Sequence, residues 1–274
     1  MAIKYIGAPI KEGCTIEGAD QGIKVLNKMF DFAEIVEVKL QKESDNKHLL
    51  YLNTVVDFLW RLKKTVMKYP DDFVVTVGGD HSLAIGSISA CYQDNLGLIW
   101  VDSHGDSNTD KTTISGRIHG MPLSVLEGLG AKDLVDVCEQ SFLDPKDIVL
   151  FGISSLDELE KELIEKQHIK VIYYQDIEKR GLQECLDEVV TYLADKKVYI
   201  SYDLDGIDPL ICTGVNTPVK VGLDEDDAYH VLDELFKRLS IVGMDLVEYN
   251  PLNDDGNTIK IISRFKEIIE HYKG

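Results

Sequence analysis

LIWVDSHGDSNTDKTTISGRIH, residues 98–119, opens on a short apolar run and continues into charged and hydroxyl-bearing side chains. Leu98-Ile99-Trp100-Val101 is brief, β-prone and bounded by Asn95 and Gly97, which predicts a buried strand. Asp102, His104 and Asp106 then follow at spacing two. On extended backbone that spacing turns all three side chains one way and sends Ser103 and Gly105 the other. All three are metal-competent groups. A solvated polar loop explains any one of them alone, because loops gather Asp and Ser.

Two further stretches end the same way. Val198-Tyr199-Ile200 runs into Ser201-Tyr202-Asp203-Leu204-Asp205-Gly206, again an apolar run leading to carboxylates two apart. Residues 73–77, FVVTV, run into Gly78-Gly79-Asp80-His81-Ser82, where the glycine pair permits a tight turn and Ser82 is a candidate N-cap. Pooled, His81, Asp102, His104, Asp106, Asp203 and Asp205 make two imidazoles and four carboxylates. That is more than one ion usually takes, and a carboxylate-heavy set favours manganese or magnesium over tetrahedral zinc. Two ions about 3.5–4 Å apart could hold a bridging hydroxide and act as a clamp for hydrolysis. The rival account is a strained acidic pocket, in which four carboxylates without cations repel and take up protons.

Outward from these islands, apolar runs alternate with amphipathic segments. Strands are predicted at 3–6, 33–38, 73–77, 98–101, 148–151, 170–174, 198–200 and 241–248. Helices are predicted at 21–32, 49–69, 83–92, 122–129, 134–142, 156–166, 182–194, 225–239 and 258–271. The alternation predicts an α/β fold: one three-layer domain, residues 1–274, with a mainly parallel sheet of about eight strands flanked by helices on both faces. A closed eight-stranded barrel gives the same alternation and stays open as the alternative. In either case ligands bind beyond the carboxyl ends of the strands, where all three islands fall.

With 274 residues and 44% apolar content the chain can bury a full core, and it has no Pro/Gly/Ser-rich linker or fixed-period repeat. A net charge of −19 with a pI near 4.7 argues against nucleic acid or an anionic membrane surface as partner, and suits cationic substrates or plain solubility. Cys14, Cys91, Cys138, Cys185 and Cys212 are odd in number, scattered and without a C-x-x-C pair, and no apolar leader follows Met1. A reducing cytoplasm is the expected compartment. No apolar run approaches the roughly 20 residues that span a bilayer.

GGDHSLAIGSIS at 78–89, DSHGDSNTDKTTISGRIHG at 102–120, SYDLDGIDP at 201–209 and GMDLVEYNP at 243–251 resemble the manganese ureohydrolase family. The likeness runs from Ile6-Gly7-Ala8-Pro9 to the VEYNP near the end. LAIGSIS and the SG-x-x-HG segment put it on the arginase side of that family rather than with agmatinases. The resemblance implies an arginase-like fold, a homo-oligomer (trimer or hexamer), two Mn2+ per subunit, and hydrolysis of L-arginine to L-ornithine and urea by a metal-bridging hydroxide. It implies that His81, Asp102, Asp106 and Asp203 hold one ion, and Asp102, His104, Asp203 and Asp205 the other. His119 matches the family's proton-shuttle histidine, Glu248 the carboxylate that receives the guanidinium, and Thr217 an active-site threonine. Asn108 and Ser115 match positions that bind an α-carboxylate, and Asp157 one near the α-amino group. Asp106, as a metal ligand, would be near enough to pass a proton to the leaving amine.

Two departures bear on the substrate. Arg117 stands where the arginase pattern has Asn, and Ser154-Ser155 precede Leu156-Asp157 where it has Arg-Asp. Arg117 brings a long cation to the carboxylate end of the site, where it could grip a carboxylate harder, make a subunit contact or select another carboxylated guanidine. The alternatives to arginine hydrolysis are therefore hydrolysis of agmatine or a guanidino acid, and a catalytically silent metal-binding relative.

Overall fold

The computed structural model describes residues 2–43 and 48–274. In chain order the elements are β1 (Ile3–Ala8), α1 (Gly22–Leu26), β2 (Phe32–Ile35), α2 (Leu52–Val66), β3 (Phe73–Gly78), α3 (Ala84–Ala90) and β4 (Leu96–Val101). They continue with α4 (Pro122–Leu126), α5 (Lys132–Val135), β5 (Ile148–Ile153), α6 (Glu158–Gln167), β6 (Lys170–Tyr173), α7 (Tyr174–Arg180) and α8 (Leu182–Tyr192). The chain closes with β7 (Lys197–Asp203), α9 (Glu225–Arg238), β8 (Ser240–Val247) and α10 (Thr258–Lys273).

The eight strands form one sheet in the order β2-β1-β3-β8-β7-β4-β5-β6, every pair parallel. β2 and β6 are its two edges, so the sheet is open and the barrel alternative is set aside. Alternate residues of each strand serve different cores, because side chains leave a strand on opposite faces. Ile99 and Val101 of β4 join the core that holds Leu186 of α8, Val231 of α9 and Ile261 of α10. Leu98 and Trp100 join the core that holds Phe58 of α2, Ile85 of α3 and Ile164 of α6. Burial on both faces is why these strands read as unbroken apolar runs.

Strand order positions the site. The chain passes from β3 to β4 across a gap that β8 and β7 later fill, a reversal of the kind at which open α/β sheets bind ligands. Gly78 pairs with Val247, Asp203 with Val247 and Tyr202 with Val101, so the four central strands end level with one another.

Local chemistry corrects several boundaries. The helix predicted at 21–32 shrinks to α1, and the one at 134–142 breaks after a 3-10 turn at Asp136–Cys138, because Glu139 and Gln140 adopt positive φ. α7 had no counterpart in the pattern: Tyr174 begins a helix rather than ending β6, and Gly181 at φ +88° stops it. Among the described residues no helix is long and apolar enough to cross a membrane, and all five cysteines are free thiols.

Candidate active site

β3 delivers His81 through the Gly78-Gly79 turn. Gly78 sits at φ +143°, and a Cβ on Gly79 would fall 2.1 Å from the Ile10 carbonyl, so both positions exclude a side chain. The helical turn that follows is capped by Asp80, whose carboxylate accepts the Ser82 N–H; the cap expected at Ser82 lies two residues earlier. The other Asp80 oxygen accepts the Gly13 and Cys14 N–H groups at 2.8 and 3.1 Å, tying the loop after β1 against the site.

The imidazole of His81 is buried. Its Nε2 meets Ser201 Oγ at 2.9 Å, and that hydroxyl in turn faces Asp245, whose carboxylate also accepts from Tyr199 and Ser87. Nδ1 is left facing Asp102, Asp106 and Asp203 oxygens at 3.0–3.1 Å, yet makes no hydrogen bond with any of them. Trp100 braces both partners: its ring stacks on His81 and its Nε1 donates to Asp102 Oδ2 at 3.0 Å.

The backbone past β4 does not stay extended. It bends from Asp102, and Asp106 takes a left-handed φ of +47°, so the three side chains converge because the loop curls and not through strand alternation. The Asp102 carboxylate accepts its own loop's His104 N–H at 2.6 Å. β7 ends at Asp203, whose carboxylate caps the next turn by accepting the Asp205 N–H at 2.8 Å. Ser103 Oγ donates to the Asp205 carbonyl at 2.9 Å and joins the two loops.

Two ligand groups result. His81, Asp102 and Asp106 form one, Asp102, His104 and Asp205 the other, each with its donor atoms within 4.8 Å of one another and with Asp102 common to both. Asp203 joins the first through His81. The electrostatics are those of a site short of positive charge. Burial and the neighbouring Asp205 and Asp102 push Asp203 well above the usual carboxylate range, and burial lifts Asp205 to about 6. Burial also acts to raise Asp102, but His104 and His81 outweigh it and hold that carboxyl low. His81 Nδ1, in the first group, and Asp205 Oδ1, in the second, are buried without a hydrogen-bond partner among the described residues, and a cation in each group would supply one. The residues present therefore fit a metal site of hard-ligand type.

A cavity of about 370 Å³ opens on this cluster. His104, Asp106, Asp203, Asp205 and His119 line it, as do the predicted substrate residues Asn108, Ser115, Arg117, Asp157 and Thr217. Thr217 Oγ1 donates to Asp205 Oδ2 at 2.8 Å. Asn108 Nδ2 donates to Asp157 at 3.3 Å, and Asp157 caps α6. Arg117 is the one permanent cation on the described lining and has no side-chain ion pair or hydrogen bond there. Ser154 stands apart from the lining, its hydroxyl 3.5 Å from the Val221 carbonyl.

Glu248 and His119 sit together beside the cluster. Glu248 Oε1 accepts the His81 N–H at 2.9 Å and lies 3.3 Å from His119 Nδ1. Burial alone would lower the His119 pKa, but Glu248, with Asp106 and Asp80 beyond it, leaves it raised. Glu248 is itself depressed: burial acts to raise it, and His119 and Asn216 more than offset that.

The motifs missed the supporting groups Trp100, Ser201, Asn216 and Glu160. Glu160 accepts the Ser107 N–H at 2.9 Å and the Asp157 N–H at 3.2 Å, and burial lifts it to about 7. The Asp157-x-x-Glu160 spacing of a capping box was the available signal. The others carry no local mark.

An open parallel sheet with buried acids and imidazoles gathered at the carboxyl ends of its central strands defines an α/β protein whose site is built for cations. Residues 5–267 match the Arginase family, and the chain belongs to it. It is 35% identical to an arginase of Staphylococcus aureus strain COL over 93% of this chain and 92% of that one. Its structure superposes on that of Entamoeba histolytica arginase in complex with L-ornithine with a TM-score of 0.90 and 29% identity, covering 98% of each chain. Bacillus cereus arginase gives a TM-score of 0.91 at 30% identity over 98% of both chains.

Proposed function

We propose that this hydrolase is a binuclear manganese amidinohydrolase that converts L-arginine and water to L-ornithine and urea. The observation that carries the reading is the pair of ligand groups sharing Asp102, with two of their donor atoms buried and unpartnered. In this reading His81, Asp102, Asp106 and Asp203 hold one ion and Asp102, His104, Asp203 and Asp205 the other. When bound, two divalent cations lower the pKa of water enough to supply hydroxide at neutral pH.

The chain's own groups do the rest. Glu248 accepts a guanidinium N–H and orients that cation, since charge-assisted hydrogen bonds to a carboxylate are short and directional. Water oxygen bonds to the guanidinium carbon, the bond from that carbon to the side-chain nitrogen breaks, and the nitrogen leaves as an amine after taking a proton. Asp106 delivers that proton and His119 exchanges protons with solvent. Thr217 steadies Asp205. Asn108, Ser115 and Arg117 take the α-carboxylate, and Asp157 faces the α-amino group. A guanidinium at Arg117 with no side-chain partner among the described residues favours a substrate with a carboxylate over agmatine, which has none. The L-ornithine in the Entamoeba relative supports the same product class. The reading includes a cytoplasmic location, supported by five free thiols, and a homo-oligomer, trimer or hexamer.

The test is urea release by manganese-loaded protein from L-arginine, agmatine and a series of guanidino acids. L-Arginine is expected to be the best substrate. Protein that binds two manganese ions per chain and releases urea from none of them is a silent relative, and the reading falls.

A further inference from the structure

Asn216 belongs to no part of the reaction described so far, yet it touches the carboxylate that reaction depends on. Its Nδ2 donates to Glu248 Oε2 at 2.9 Å, and its Oδ1 accepts from Asn250 Nδ2 at 2.6 Å. The orientation of the amide follows from its partners: a carboxylate can only accept, and Asn250 Nδ2 can only donate. Asn250 is itself fixed, because its Oδ1 accepts the Leu252 N–H and its Nδ2 also reaches the Glu17 carbonyl.

Glu248 needs such a hold. It sits just past the end of β8 at a left-handed φ of +69°, where a side chain is disfavoured and the strand no longer sets its aim. Oε1 has the His81 N–H and His119. Oε2 has one donor among the described residues, Asn216. With about four lone-pair sites on a carboxylate, this leaves a single uncommitted site, on Oε2.

The geometry points to Asn216 as a positioning residue that clamps Glu248 so that one Oε2 lone pair is presented to a cationic N–H donor of the substrate. The inference rests on the reading of Glu248 as the guanidinium acceptor. It makes Asn216 a determinant of substrate binding rather than of metal binding.

Asn216→Asp separates this from a purely structural role. Aspartate has the same shape and keeps an acceptor for Asn250, but turns an oxygen toward Glu248 in place of the donor. Manganese-loaded wild type, Asn216→Asp and Asn216→Ala are compared for KM and kcat with L-arginine, for guanidinium-ion binding by calorimetry, for metal content and for Tm. Both variants are expected to raise KM and weaken guanidinium binding by roughly tenfold or more, as loss of a hydrogen bond to a charged group does. Metal content stays at the wild-type level, and Tm falls in both variants, in Asn216→Ala through the lost contacts and in Asn216→Asp through repulsion between the two carboxylates. Unchanged KM and guanidinium affinity in Asn216→Asp overturn the inference, as does an effect confined to Tm or metal content. Wild type that releases no urea overturns the reading of function instead, and calorimetry then still decides the role of Asn216.

Discussion

The Trp100 indole lies flat on the His81 imidazole, with ring centroids 3.9 Å apart and planes 9° from parallel. Trp100 comes from β4 and His81 from the turn after β3, strands separated in the sheet by β8 and β7. One indole thus orients a ligand of one loop by stacking and, through Nε1, the Asp102 carboxylate of another. Supporting contacts of this kind orient metal ligands, and their loss typically costs about 10–100-fold in metal affinity.

Asp203 faces His81 from the end of β7, and in the proposed function it would be a ligand to both ions. Asp203→Ala is expected to leave fewer than two manganese ions per chain and to lower turnover by about 100-fold or more. Metal analysis and urea release from the same preparation check it; wild-type values for both would remove the basis of the binuclear site.

Ser201 holds His81 Nε2 at 2.9 Å and so leaves Nδ1 free to face the acids. Ser201→Ala removes that constraint without touching a proposed ligand. Its expected effect is a loss of about 10–100-fold in manganese affinity, with KM for substrate little changed at saturating metal. Metal titration followed by activity measures both.

Arg117 lines the cavity with no side-chain partner among the described residues. Arg117→Ala is expected to raise KM for L-arginine about tenfold, the loss of one charge-assisted contact, while agmatine kinetics stay the same. Equal effects on both substrates would show that Arg117 does not read the carboxylate.

Glu127, the residue after α4, keeps both carboxylate oxygens buried with no partner among the described residues, and burial lifts its pKa from 4.5 to about 8. A carboxyl with a raised folded pKa contributes stability in full below pH 4.5, and that contribution is lost as pH rises through about 8. Glu127→Gln is expected to leave Tm little changed at pH 5 and to raise it by several degrees at pH 9, since each kcal/mol moves Tm by about 2–4 °C in a domain of this size. Paired calorimetric scans at the two pH values provide the measurement.

The chain's order of apolar runs and amphipathic segments was enough to predict an open or closed α/β sheet with acids and imidazoles at the carboxyl ends of its strands. That information is local: a strand buried on both faces must be apolar throughout, and a ligand must follow it directly. The likeness to a known family added roles for Glu248 and His119, which read alone are ordinary polar residues. What the sequence could not supply is the order of the strands, which seats β8 and β7 between β3 and β4 and brings Glu248 onto the His81 N–H across 167 residues. Nor could it supply the curl that turns Asp106 inward, the Trp100 stack, or the amide of Asn216 against Glu248. Those depend on contacts between segments far apart in the chain, and side-chain period along one segment carries no record of which other segment it will meet.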